Sequence, residues 1–283
     1  MCTILKYKSC VGRNFDYEIS YKEELRHIQA KDFDLQYDII GMCTGLVKDY
    51  PLLYDGMNQY GLCCGGLAFT GNAEYFDKVI GMNSIPAYDF TLRVLGNCKS
   101  VEEVKQAMDV TIITNENYSD DLQNTDLHWF VADKKEAIVI ESTKDGLHWY
   151  DAETNVLTNN PPYEEQLDMY KFSSSMIGDV APSLTNDMEW WSRGRETDGL
   201  AGGYASDERF ERVSFLKEKL ENADNIFDDV NQTFHLLAAA EQVYGVTEVD
   251  DKFEYTIYSI VYNMNDKMVY LQNYDGNRNR YMY

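Results

Sequence analysis

Short stretches rich in β-branched and aromatic residues recur along the chain, each closed by turn residues, and they confine it to a sheet-based fold. Thr3 to Tyr7 and Val11 to Ile19 flank a polar Lys8-Ser9, as the arms of a hairpin would. Asp38 to Cys43, Leu53 to Asn58 and Leu62 to Phe69 read as further strands, with Gln59-Tyr60-Gly61 as the turn between the last two. His128 to Ala132, Ala137 to Ser142, Leu147 to Tyr150 and Val156 to Thr158 alternate or run apolar between Asp, Lys and Gly turns. A last hairpin pairs Tyr255 to Tyr262 with Met268 to Gln272 across Asn265-Asp266. The 22 tyrosines suit strands half buried on one face.

Helical patterns interrupt this series. Ser100-Val101-Glu102-Glu103 is a capping box, and Val101, Val104 and Met108 then recur at helical spacing, so a helix is expected over Val101 to Asp109, preceded by one over Tyr88 to Leu95. Ser206 to Glu221 and Ile226 to Val243 read as helices too. Between Pro161 and Gly203 the pattern weakens around the pair Trp190-Trp191, which predicts a long irregular excursion of the functional or interfacial kind. With 283 residues and 44% hydrophobic composition, the expectation is one α+β domain over residues 1–283, built as two antiparallel sheets stacked between helical layers.

Several functions are excluded by composition. A net charge of -23 argues against nucleic acid, whose phosphates require a basic surface. No apolar run approaches the ~20 residues of a spanning helix, so no membrane partner is expected. The start of the chain has no basic segment followed by an apolar one, which points to the cytoplasm. Cys10, Cys43, Cys63, Cys64 and Cys98 form no C-x-x-C pair and read as buried reduced thiols, and His27, His128, His148 and His235 read as structural. The chain has no G-x-S-x-G elbow, no H-E-x-x-H and no P-loop.

That leaves Cys2. In the bland reading it is a packed strand thiol. In the other, loss of Met1 exposes an α-amine on the nucleophile itself, with a pKa of about 7.7 to 8.0, able to take the thiol proton and return it to a leaving amine.

Its company decides between them. Met1-Cys2-Thr3, Gly12 to Asp16 (GRNFD), Tyr50 to Leu62 (YPLLYDGMNQYGL), Leu127 to Trp129 (LHW), Val156 to Pro161 (VLTNNP) and Arg209 to Val213 (RFERV) follow one another in this order. With these blocks the chain resembles the choloylglycine hydrolase family, N-terminal nucleophile amidases that include bile salt hydrolases and penicillin V acylases. The resemblance implies a linear amide C–N hydrolase with a four-layer αββα fold and Met1 removed. It implies Cys2 as nucleophile, Arg13 and Asp16 flanking it, Asn159 and the backbone N–H of Ala68 as an oxyanion hole, and Arg209 in the polar network behind. A guanidinium beside sulfur favours thiolate, a carboxylate orients the amine, and one oxyanion donor is worth about 3 kcal/mol of barrier. Taken singly, Arg13-Asp16 reads equally as a surface ion pair, Asn159-Asn160-Pro161 as a turn and Arg209 as the polar face of a helix. The resemblance further implies no metal or organic cofactor and a homotetramer with the 161–203 excursion at its contacts.

Two features bear on substrate. Phe15, Val47, Tyr54, Leu122 and Leu127 stand at aligned pocket positions and are apolar or aromatic, which suits a steroid, a phenoxyacetyl group or a fatty acyl chain. Ser192-Arg193-Gly194 is similar in position to a segment associated with taurine conjugates, and Arg193 could bind a sulfonate; equally, Arg193 and Arg195 could pair with Glu189 or Glu196. Ala68 replaces the Asn common in bile salt hydrolases and the Tyr common in penicillin V acylases, and the first hairpin, the stretch before Asp38 and the C-terminus are shorter than usual. The expected activity is hydrolysis of taurine- or glycine-conjugated bile acids through a thioester. The alternatives are penicillin V or another N-acyl amide on the same scaffold, and a catalytically inactive homologue.

Overall fold

The structure, a computed structural model, describes residues 1–178, 195–223 and 226–283. In chain order its strands begin with β1 (Cys2–Tyr7), β2 (Cys10–Tyr17), β3 (Glu24–Ile28), β4 (Ile39–Cys43), β5 (Leu53–Asn58) and β6 (Cys63–Ala68). They continue with β7 (Asn83–Pro86), β8 (Thr111–Thr114), β9 (Leu127–Ala132), β10 (Ala137–Thr143), β11 (Gly146–Asp151) and β12 (Val156–Leu157). The last four are β13 (Thr247–Val249), β14 (Lys252–Asn263), β15 (Met268–Asn273) and β16 (Arg278–Met282). The helices are α1 (Phe90–Asn97), α2 (Val101–Met108), α3 (Tyr163–Ser174), α4 (Ser206–Glu221) and α5 (Asp229–Ala238).

Two antiparallel sheets carry the fold. One runs β12-β1-β2-β14-β15-β16, with β13 added to β14; the other runs β11-β10-β9-β6-β5-β4-β3. Strand alternation sorts the second sheet into two cores. Ile40, Met42, Met57, Cys63, Phe130 and Val139 face the first sheet, whereas Ile39, Cys43, Leu62, Cys64, Trp129, Ile138 and Ile140 face α1 and α2. Adjacent Cys63 and Cys64 therefore point into different cores, and burial, with a further push from Asp55, holds both thiols in their protonated form, Cys64 pushed up to about 12. All six cysteines are free and buried. On the outer side of the first sheet α5 lies on β2 and β14, and α4 on β1 and β12. Gly12 permits this: a Cβ there would come 2.5 Å from Thr233 Cγ2 of α5. The order of layers is helix, sheet, sheet, helix.

Ser100 caps α2 as expected, accepting from Glu103 N at 3.3 Å, but the return arm of Glu103 reaches Lys99 N instead of Ser100 N. Three expectations need correction. Residues 161–203 are not irregular throughout, because α3 occupies Tyr163–Ser174. Its buried stripe, Tyr163, Gln166, Leu167 and Tyr170, contains a glutamine, while Met169 and Phe172 are exposed, and this mixture hid the period. Residues 179–194, including Trp190-Trp191 and Ser192-Arg193-Gly194, lie outside the described residues. The helix expected over Ile226 to Val243 is confined to α5, where Asp228 accepts from Val230 N and Asn231 N at 3.0 and 3.1 Å and so fixes the start. The helix expected from Tyr88 begins at Phe90, after a 3-10 turn over Ala87–Asp89. Among the described residues no helix is long and apolar enough to cross a membrane.

Candidate active site

The two-residue turn Lys8-Ser9 pairs Tyr7 with Cys10, and that register places Cys2 opposite Phe15 and Ile4 opposite Arg13. Arg13 is thus the diagonal neighbour of Cys2 on one face of the hairpin. Its Nη2 lies 3.5 Å from Cys2 Sγ and donates to Gly66 O at 2.6 Å. Its Nη1 donates to Tyr54 O at 2.6 Å and to Asp55 Oδ2 at 2.7 Å. Asp55 also accepts from the hydroxyls of Tyr258 (2.6 Å) and Tyr262 (2.5 Å), so one buried carboxylate holds one buried guanidinium and two tyrosines. Burial lowers the Arg13 pKa, but Cys2, Tyr258 and Asp55 outweigh it and leave Arg13 more firmly protonated than a free arginine. Burial, then Asp55, drives both tyrosines well above their ordinary range.

Asp16 does not share this face. As an alternating neighbour of Phe15 it points to the helical side, where Thr256 Oγ1 donates to it at 2.6 Å, Gln242 Nε2 at 3.3 Å, and Arg209 Nη1 stands 4.0 Å away. The β2–β14 register shifts between Thr256 and Tyr258. This bulge inverts the parity of β14, so that Tyr258 and Tyr262 serve Asp55 on one face while Thr256 serves Asp16 on the other. The expectation is that Arg13 and Asp16 flank Cys2, the guanidinium at the sulfur and the carboxylate at the amine; the hairpin places them on its two sides, Arg13 with the sulfur and Asp16 with Thr256 and Arg209.

Asn159, just past β12, spans the edge. Its Oδ1 accepts from Cys2 N at 2.7 Å and from Arg209 Nη2 at 2.9 Å, and its Nδ2 donates to Ala68 O at 2.8 Å. Arg209 of α4 also donates to Cys2 O (2.6 Å) and Thr3 Oγ1 (2.7 Å). Burial lowers the pKa of Arg209, with Asp16 and Cys2 opposing. Met1 extends β1: its carbonyl accepts from Asp16 N at 2.9 Å, and its ammonium donates to Asp16 O at 2.8 Å and pairs with the buried carboxylate of Glu254.

Burial raises the Asp16 carboxyl above the ordinary aspartate range, against Arg209, the chain terminus and the bonds from Thr256 and Gln242. The native protein therefore binds this proton more tightly than the unfolded chain, and stability from this group is lost as pH rises from the ordinary aspartate range through the raised native value. Asp16→Asn stays neutral, so its melting temperature relative to the parent should climb over that interval and be least favourable at acid pH. Melting curves from pH 3 upward check this; a pH-independent difference contradicts it.

Of the residues expected to line a pocket, Phe15 stacks on Tyr258 (5.2 Å) and lies 4.7 Å from Tyr54, with the Arg13 guanidinium 5.2 Å from its ring. These three join the Cys2 cluster. Leu127, paired with Ala68, packs instead with the core beneath α1 and α2. Val47 is buried in a loop whose carbonyl accepts from Arg26, and half-buried Leu122 closes a turn with Ser119. Sequence reasoning missed Asp55, Tyr258, Tyr262, Gln166 and Glu254. A charged residue inside an apolar strand, as Asp55 is in Leu53–Asn58, was the available signal for the first.

Comparison with known proteins agrees across the whole chain. The family model for linear amide C–N hydrolases, choloylglycine hydrolase family, matches residues 2–281. A bile salt hydrolase/transferase of Lactiplantibacillus plantarum is 40% identical over 98% of this chain and 90% of its own, and one of Clostridium perfringens is 32% identical over 98% and 91%. A crystal structure of a variant of the conjugated bile acid hydrolase from Clostridium perfringens superposes with a TM-score of 0.91 at 30% identity, covering 99% of this chain and 92% of that one. Penicillin V acylase from Agrobacterium tumefaciens shares the fold, with a TM-score of 0.74 at 17% identity over 99% and 85%. With its four αββα layers the chain belongs to the choloylglycine hydrolase family of linear amide C–N hydrolases.

Proposed function

We propose that this protein hydrolyses the amide bond of taurine- or glycine-conjugated bile acids, with Cys2 as its N-terminal nucleophile once Met1 is removed. The carrying observation is that Asn159 binds Cys2 N, Arg209 and Ala68 O at once, while Arg13 closes on the sulfur. After trimming, the nitrogen that accepts the thiol proton is the one Asn159 already holds. The thiolate adds to the carbonyl carbon. The resulting oxyanion is met by the second N–H of Asn159 Nδ2, whose first is spent on Ala68 O, and by the backbone N–H of Ala68. The ammonium then protonates the nitrogen of the departing amine, the C–N bond breaks, and water, deprotonated by the same amine, hydrolyses the thioester. Arg13, Asp16 and Arg209 fix the charges around this exchange. No step calls for a metal or organic cofactor.

Phe15 and Tyr54, packed with Cys2, supply the apolar wall for the acyl group, and Arg193 binds the acidic end of the leaving amine. The protein acts as one domain, in the cytoplasm, as a homotetramer. The bile salt activity of the relatives at 40% and 32% identity supports this substrate over other acyl amides. Trimmed protein should release amine from taurocholate and glycocholate faster than from penicillin V or an N-acyl amino acid. Preference for penicillin V would overturn the substrate, and hydrolysis of none of the four would overturn the enzyme reading.

A further inference from the structure

A second buried acid–base pair lies outside this mechanism. His128 of β9 and Glu141 of β10 are cross-strand partners, and both are buried. His128 Nε2 lies 2.8 Å from Thr158 O, and Nδ1 lies 3.1 Å from Glu141 Oε1, which also accepts from Tyr163 N at 3.0 Å. A carbonyl only accepts, so Nε2 carries a hydrogen. Nδ1 and a carboxyl oxygen cannot face each other with lone pairs alone, so a proton sits between them as well, on one or the other. The imidazole is therefore fixed at both nitrogens. Its plane lies flat on Phe69, with ring centroids 4.4 Å apart and 9° between planes.

Thr158 precedes Asn159, and Phe69 follows Ala68. The ring thus holds the chain neighbours of both proposed oxyanion donors, one through a hydrogen bond and one through a stack. Glu141 in turn holds the first residue of α3, on the far side of the Asn159 loop. We infer that His128, locked by the proton it shares with Glu141, is a positioning residue that sets the spacing between Asn159 and Ala68. The inference rests on the reading of those two as oxyanion donors. Sequence reading assigned His128 a structural role; the placement gives that role a catalytic readout.

The test is a double-mutant cycle on amine release from glycocholate, using trimmed full-length protein. His128→Gln should lower kcat about 10- to 100-fold with KM within about twofold, since misplacement by an ångström costs transition-state contacts more than ground-state binding. In an Asn159→Ala background the same change should cost less than about threefold further, because the partner it positions is gone. A kcat loss that multiplies in full in both backgrounds, or His128→Gln protein that melts lower at unchanged kcat, overturns the inference while leaving the oxyanion reading intact. If Asn159→Ala alone keeps its kcat, the oxyanion reading falls and this one with it. Should His128→Gln fail to fold, Glu141→Gln, which puts an amide in the volume of the carboxyl group, carries the same cycle with the same expected coupling.

Discussion

Cys2→Ala protein is expected to release no amine from taurocholate or glycocholate above the buffer rate, and unaltered protein that still carries Met1 should lose at least about 10²- to 10⁴-fold. The two failures have different causes. Alanine removes the atom that bonds to the acyl carbon. Retained Met1 leaves the thiol beside Arg13, but converts the nitrogen held by Asn159 into an amide that takes no proton. The free amine then sits one residue away, spent on the Asp16 carbonyl and the Glu254 carboxylate, and burial lowers its affinity for a proton. Intact-mass spectrometry separates the trimmed from the untrimmed species, and each is assayed on the same bile salts. Equal turnover by both would remove the amine from its place as the base, while activity in Cys2→Ala would remove the sulfur from its own.

Asp55→Ala carries the largest expected loss of stability, about 3–5 kcal/mol, enough to bring a typical domain close to its unfolding threshold. Deleting the carboxylate strands the Arg13 guanidinium in a buried site and takes the acceptor from the hydroxyls of Tyr258 and Tyr262. Arg13 would keep Tyr54 O and Gly66 O, neutral acceptors that do not balance its charge, and among the described residues its Nε has no partner. Asp55→Asn keeps the shape and one acceptor, and should fall between the two. Urea unfolding of the three proteins measures the order; a loss under about 1 kcal/mol in Asp55→Ala would mean the charge of Arg13 is compensated elsewhere. Activity should fall in step, because the guanidinium that leaves Asp55 also leaves the sulfur.

Much of this was legible from residues alone, and the reasons are physical. A tight turn at Lys8-Ser9 fixes register, so the nearness of Cys2 and Arg13 follows from counting along the hairpin. Strands buried on both faces announce themselves as near-continuous apolar runs, which is why β4, β5, β6, β9 and β10 were read almost to the residue. The edge strand β3, with its Glu24, Arg26 and His27, has no such run and was missed. Asn159 and Arg209 were placed by resemblance to the family, since neither carries a local signal. Gln166 escaped because its work, bonding Asn159 O and Pro161 O, depends on a helix hidden by its own exposed Met169 and Phe172. The side of the sheet on which Asp16 acts depends on simple alternation, yet its partner Thr256 depends on a bulge, which no periodicity reveals.

That bulge makes β14 a strand with two clients. Upstream of it the even-numbered positions face the helices; downstream they face the neighbouring sheet. A chain of this design can spend insertions and deletions freely in the turns around Asn265 or in the β13 hairpin. Ile257 is the extra residue of this bulge, and one more residue beside it would slip one arm of the strand, taking either Thr256 from Asp16 or Tyr258 and Tyr262 from Asp55. Chain length at that point is thus as much a part of the chemistry as any side chain, and a redesign that spares every site residue could still disarm the protein by changing the count between them.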